Sequence, residues 1–146
     1  MLHAIEFIAT FSAAIFSGAA LYINIVEHPA RMTLDTKSAA LQWAPSYRRA
    51  TLMQAPLALI SLVTGLLSWW MGGRVGWAIA ALLIGAVVPF TFLVIMPTNH
   101  RLLAPGRDLA SAETRALLDR WVRLHAVRTT LSLRATVVYV WQPLGS

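Results

Sequence analysis

Apolar positions in this chain recur neither at alternate residues, as on a strand, nor every third and fourth residue along a single helical face; they run on unbroken. Ala4 to Val26, Ala50 to Met71 and Val75 to Met96 are apolar along most of their length, with Glu6 the one charged residue inside the three stretches. A run of roughly 22 residues extends about 33 Å as a helix, close to the thickness of a bilayer's hydrocarbon core. An apolar surface on all sides of such a helix is what lipid requires. A fourth stretch, Leu124 to about Leu144, is long enough but carries Arg128 and Arg134. The pattern predicts an all-α fold, an integral membrane four-helix bundle, with helices over 4–26, 50–71, 75–96 and 124–144 making residues 1–146 a single transmembrane domain.

Polar segments fill the intervals. The connection from Glu27 to Arg49 includes "TKSAALQWAPSYRR" and that from Pro97 to Arg123 includes "SAETRALLDRWVRL". The second reads as a helix: Ser111 caps it, Glu113 lies in its first turn, and Ala112, Leu117, Leu118 and Trp121 supply an apolar stripe that runs on into the fourth span. Trp43 stands four residues before Tyr47 and Trp121 four before His125, so each pair shares a helical face. The parallel hints at two similar hairpins related by an axis along the membrane normal. Pro29 is expected to end the first helix, and Pro97 to end or kink the third. Without a basic stretch before it or a small-residue cleavage site after it, the first run reads as a retained helix and not a signal peptide. The closing Leu144-Gly145-Ser146 reads as a junction remnant without function.

Composition sharpens this picture. Hydrophobic residues make up 58% and charged residues 12%, with a mean hydropathy of +0.63, far oilier than an ordinary water-soluble domain. The absence of cysteine excludes disulfides and thiolate metal sites. The net charge of +6 is concentrated in two places. Arg31, Lys37, Arg48 and Arg49 lie between the first two spans, and Arg101, Arg107, Arg115, Arg120 and Arg123 between the last two; Arg74 stands alone in the short Gly72-Gly73-Arg74 turn. Basic residues favour the cytoplasmic side. A multi-pass protein of the cell (inner) membrane is expected, with helical cytoplasmic connections, both termini on the outer side and the lipid bilayer as its main partner. Because these arginines flank lipid-length helices and form no soluble basic face, nucleic acid is not an expected partner.

With that topology the polar residues converge. Glu27-His28, Tyr47 to Arg49, Asn99-His100 and His125 to Arg128 all fall at the cytoplasmic membrane face, where irregular backbone after the prolines is tolerated if it lines a cavity. Ionisable groups at such depth usually serve function. Arg128 lies about 4.5 Å deeper than His125 on the same helical face and is expected to point inward; Arg134 lies about 13 Å deeper than His125. Arg134 either pairs with Glu6 or snorkels outward on its own. His3 reads as interfacial and His100 as loop. Arg31, Arg48, Arg101 and Arg123 read as topology signals or headgroup contacts. Trp69, Trp70, Trp77 and Trp141 read as an outer aromatic belt, whereas Trp43, Tyr47 and Trp121 suit an inner belt and a pocket wall equally well. Gly65, Gly85 and the alanines of the first helix permit close contacts within the chain or between copies, which is compatible with a homo-oligomer.

At these residues the sequence resembles the anthrone oxygenase-like family of small four-helix membrane proteins. The likeness rests on "YINIVEHPARM" after the first helix, "WAPSYRRA" entering the second, "PFTFLVIMPTNHRLL" closing the third and "WVRLHAVRTTLSL" entering the fourth. It spans about Gly18 to Arg134. The resemblance implies oxidation of an anthrone-like polyketide by dioxygen to a quinone, with Glu27, His28, Asn99, His125 and Arg128 as the matching catalytic positions and no cofactor required. An anthrone has an acidic benzylic C–H, so His28 or His125 is suited to remove a proton, with Glu27 orienting an imidazole. Arg128 and Asn99 suit the developing oxyanion. Trp43, Tyr47 and Trp121 suit a flat aromatic substrate, with Arg49 close by as a further substrate-binding candidate. The same residues support two other expectations. His28, His125 and Glu27 are candidate ligands for copper, iron or zinc, or the two histidines for a haem, although no pair of them has one-helix ligand spacing. A non-catalytic membrane subunit or small-molecule carrier would also use such a polar layer.

Overall fold

The structure, a computed structural model, describes residues 1–144, so the closing Gly145-Ser146 lies outside the described residues. The apolar runs and their polar flanks form four long helices: α1 (Leu2–Arg31), α2 (Thr36–Trp70), α3 (Val75–Leu102) and α4 (Ala112–Leu144). Among the described residues there is no strand. By length and composition α1, α2 and α3 are able to cross a membrane. Large apolar side chains cover their outer surface, including Phe7, Phe11, Ile25, Leu52, Val63, Leu82, Phe92 and Leu93. Water would make a surface of that extent an aggregation liability, and lipid makes it stable.

Each helix overruns the stretch its hydropathy predicts: the expected stop at Pro29 does not occur, and at Pro97, where an end or a kink is expected, the helix does not end. A wide π-helical turn precedes each proline, Ile23–Glu27 in α1 and Thr91–Ile95 in α3. A proline ring collides with the carbonyl four residues back and cannot bond to it. Those carbonyls belong to Ile25 and Leu93, both inside the wide turns, so the helices continue to Arg31 and Leu102. The connections are correspondingly short. Asp35 caps α2, its Oδ1 accepting from the Ser38 amide at 3.0 Å, and Ser111 caps α4 by accepting from the Thr114 amide at 3.1 Å. Gly72 has φ +98°, which lets the α2–α3 reversal close. Between α3 and α4, Arg101 and Arg107 both pair with Glu113. The Arg101 hydrogen bond, and then the charge of Arg107, hold the Glu113 carboxyl below its ordinary range.

The helices pack as a square, with α1 beside α2 and α4, and α3 completing the other two edges. Small residues allow the close approach. Ala9, Ala13, Ala80 and Ala81 surround Trp77 and Tyr139 at the end that carries the α2–α3 turn. The Tyr139 hydroxyl donates to the Ser61 carbonyl at 2.9 Å, and the Ser61 hydroxyl donates to the Ala9 carbonyl at 2.9 Å, so one chain of bonds ties α4, α2 and α1. Phe16, Ala20, Ala58, Ile84 and Val87 fill the middle.

At the turn-bearing end one expectation fails, and the choice left open for Arg134 falls to its outward alternative. Trp77 is buried against Tyr139, their rings 5.3 Å apart, and so is no belt residue; Trp69, Trp70 and Trp141 are exposed. Glu6 meets His3 at 3.1 Å and Ser68 at 3.3 Å, not Arg134, which is exposed on the outer side of α4. Helix rotation decides this, because burying Tyr139 turns position 134 away from the core.

A Cβ at Gly65 would stand 2.9 Å from the Ala81 Cβ and strike the Tyr139 ring and hydroxyl. Gly65→Ala is therefore expected to lower stability by about 1–3 kcal/mol through overpacking, read as a lower unfolding temperature in detergent, while Gly18→Ala, which meets nothing within 4 Å, leaves it unchanged or raised.

Candidate functional site

The π-turn of α1 aims Asn24 at α4. The Asn24 Nδ2 donates to the Val122 carbonyl at 3.1 Å, which fixes the amide's orientation. Its Oδ1 then accepts from the Thr129 hydroxyl at 2.6 Å and faces Nδ1 of His125 at 2.7 Å. An amide oxygen only accepts, so His125 carries its proton on Nδ1, and the neutral ring presents Nε2 as a free lone pair. His125 is buried, like Arg128 one turn further along α4.

His28 has the opposite arrangement. Arg31 Nη1 lies 3.3 Å from its Nδ1, and a guanidinium only donates, so Nδ1 accepts and a neutral ring protonates Nε2. That Nε2 is buried without a partner. Arg31 itself is buried, contrary to its expected role at the headgroups. It donates to Glu27, to Gln42 and, at 3.2 Å, to Ser46, while Ser46 donates to Glu27. Glu27 is thus held in a closed ring with Arg31 and Ser46, and Asn24, not Glu27, orients the imidazole of His125.

Aromatic side chains frame these groups. Trp43 and Tyr47 stack with centroids 5.1 Å apart, and Trp121 meets Trp43 edge-on at 5.7 Å. The Trp121 indole contacts both imidazoles, His125 at 4.9 Å and His28 at 5.6 Å. Beneath them lies a cavity lined by Trp43, Tyr47, Gln54, Trp121, His125 and Arg128, with about 10 Å³ of space for a water-sized sphere. Arg128 crosses it, donating to Gln54 Oε1 at 3.0 Å and lying over the Phe16 ring at 5.5 Å. Two larger spaces adjoin. A lateral groove of about 360 Å³ opens between α1 and α2, lined by Tyr22, Glu27, Arg49 and Met53, and shares Ile23, Ser46, Ala50 and Gln54 with the cavity. An apolar cleft of about 90 Å³ beside α3 shares Tyr47, Thr51 and Arg128 with it.

Of the residues singled out in the sequence, Trp43, Tyr47, Trp121, His125 and Arg128 meet at the cavity. His28 sits against Trp121 but does not line the cavity, and Glu27 and Arg49 line the groove. Asn99 is fully buried on α3 with both amide atoms unpartnered, away from the cavity lining. His100 is exposed. Among the described residues no three His, Cys, Asp or Glu side chains group as metal ligands. Asn24 engages Nδ1 of His125, and Arg31 engages both Nδ1 of His28 and the Glu27 carboxylate. Sequence reasoning missed Asn24, Gln42, Ser46 and Gln54. Arg31 was open to detection from its four-residue spacing after Glu27. Asn24 and Gln54 were visible as lone amides in apolar runs, but nothing local names their partners.

The profile of the anthrone oxygenase family matches residues 43–138. The anthrone oxygenase tpcL of Aspergillus fumigatus is 30% identical over 148 residues, covering 93% of this chain and 91% of that protein. The anthrone oxygenase ptaC of Pestalotiopsis fici is 33% identical over 127 residues, covering 73% and 89%. An anthrone oxygenase of Claviceps purpurea is 27% identical, covering 92% and 85%. No solved structure matches the chain.

The Glu27–Arg31 pair carries a prediction about stability. Glu27→Leu strands a buried guanidinium and is expected to cost about 3 kcal/mol, whereas the double variant Glu27→Leu with Arg31→Met recovers much of that loss. Thermal unfolding of the two variants checks it, and a double variant no more stable than Glu27→Leu contradicts it.

Proposed function

The chain belongs to the anthrone oxygenase family, and on that premise we propose that it is a membrane-embedded oxygenase that converts an anthrone-type polycyclic phenol and dioxygen to the corresponding quinone and water. The observation that carries this reading is His125: Asn24 and Thr129 hold its Nδ1 side, and its Nε2 is left as a base at an enclosed aromatic cavity.

An anthrone's methylene lies between two aryl rings and opposite a ketone, so loss of one proton gives an anion delocalised over the whole system. His125 Nε2 takes that proton. The anion is electron-rich enough to react with dioxygen directly, and the net change is CH₂ plus O₂ to C=O plus H₂O. Arg128, fixed by Gln54 and Phe16, supplies positive charge where negative charge develops, and exclusion of water strengthens it. The cavity itself has room for about one water, so the rings lie in the α1–α2 groove with their reactive edge toward Gln54 and His125. Arg49 and Glu27 at the groove's rim suit phenolic hydroxyls. Trp43, Tyr47 and Trp121 form the flat wall behind. His28, its basic nitrogen occupied by Arg31, contributes to packing and not to proton transfer.

The same reading assigns the protein to the cell membrane, with the arginine-rich connections cytoplasmic and both termini outside. Alkaline phosphatase fused after Leu144 is then active and a green fluorescent protein fused there is dark; the reverse pattern refutes this orientation. Oxygen uptake and quinone absorbance with an anthrone substrate test the chemistry. His125→Ala is expected to lower turnover by about 10²–10⁴-fold, Asn24→Ala to lower it less, and His28→Gln to keep the larger part. Full uptake by His125→Ala would remove the base assignment, and a wild-type protein that binds the compound but leaves it unchanged would favour a carrier.

A further inference from the structure

Four residues that line the small cavity carry a buried N–H group without an acceptor: Gln54 and Arg128, at Nε2 and Nε, and the indoles of Trp43 and Trp121. Gln54 and Arg128 stand apart from the indoles in being already joined, since Arg128 Nη2 donates to Gln54 Oε1 at 3.0 Å. Both residues line the cavity, and Gln54 is 1% exposed. Unanswered donors in an interior of this kind are costly, and two of them on joined side chains that line one space call for an anionic or strongly accepting occupant. The space of about 10 Å³ excludes an aromatic ring and admits something the size of a water or a diatomic molecule.

Resting on the oxygenase reading, we propose that this cavity is the site where dioxygen is bound and reduced, with Gln54 Nε2–H and Arg128 Nε–H stabilising the superoxide formed there. The substrate anion in the groove gives one electron to dioxygen, leaving a carbon radical beside superoxide. The two combine to form the C–O bond. The resulting peroxide anion recovers the proton held on His125. Loss of the second C–H proton and cleavage of the O–O bond then release water and leave the ketone. Charge is spread over the donors only after the electron has moved, so they favour the product of transfer over neutral dioxygen. The apolar cleft beside α3, lined by Ala55, Ala58, Val87 and Val88, reaches the cavity at Arg128 and gives an apolar gas a route apart from the substrate groove.

Gln54→Leu removes one donor. Gln54→Glu also removes it, but retains an acceptor for Arg128 and adds a negative charge against the superoxide, so it serves as the control should the leucine variant fold poorly. Two readouts separate the steps: kcat/KM measured against dioxygen at saturating anthrone, and anaerobic deuterium exchange from D₂O at the benzylic carbon, which needs His125 but no dioxygen. The expected result is a fall in kcat/KM for dioxygen on the order of 100-fold, deeper in Gln54→Glu and well beyond the accompanying change in anaerobic exchange or in the KM for anthrone. A parallel loss of exchange would overturn the assignment and give the donors to a substrate oxygen. Unchanged dioxygen kinetics would overturn it in favour of an ordinary buried water. A wild-type protein that neither exchanges the proton nor consumes oxygen removes the oxygenase reading itself, and this inference with it.

Discussion

Three hydrogen bonds meet at the side chain of Asn24, and the candidate site is arranged around that junction. They join α1 to α4 through the Val122 carbonyl, the Thr129 hydroxyl and His125 Nδ1. Inside an apolar bundle an amide must find such partners, since water is not there to supply them. Satisfying Asn24 therefore also selects the tautomer of His125. The π-turn makes the geometry available by absorbing the clash that Pro29 would cause in a regular helix. One backbone irregularity thus keeps α1 helical and sets which nitrogen of a buried imidazole is free.

The two ends of the bundle solve the packing problem in different ways. At the end carrying the α2–α3 turn, alanines and Gly65 let the helices approach so closely that Tyr139 fits only with its hydroxyl on the Ser61 carbonyl. At the other end the helices hold large aromatics and charged groups apart. Arg31 is tolerated because Glu27, Gln42 and Ser46 answer it within the same layer. Arg128 is answered less completely, by Gln54 and the face of Phe16. Arg31 keeps no unanswered donor, whereas Arg128 and Gln54 each keep one at the cavity, and that difference sets the cavity apart from the ion pair beside it.

Volume then divides the work. A groove of about 360 Å³ suits a flat polycycle, while the polar cavity it adjoins is close to the size of one water. The groove opens between helices whose outer faces are apolar, which matches the hydrophobic substrate proposed for it. Gln54 belongs to both spaces and Arg128 to the cavity and the cleft, which makes their mutual hydrogen bond the meeting point of all three.

Unbroken apolar runs determined, without any tertiary information, that the chain is all-helical and built for lipid, because hydropathy over a bilayer's length is a property of the segment alone. The order EHPAR, PTN and H-x-x-R was enough for the family resemblance, and the spacing of Trp43 with Tyr47 and of Trp121 with His125 already placed each pair on one face. Helix ends were misjudged, since a proline stops a regular helix but not one with a π-turn ahead of it. Only the tertiary structure decided that Arg31 is buried, that Arg134 faces outward and that His125 differs from His28. Those outcomes depend on how far each helix is rotated about its axis and on which amide or guanidinium a neighbouring helix brings within 3 Å or so. Residues separated by 101 positions, as Asn24 and His125 are, leave no mark of their contact in either local segment.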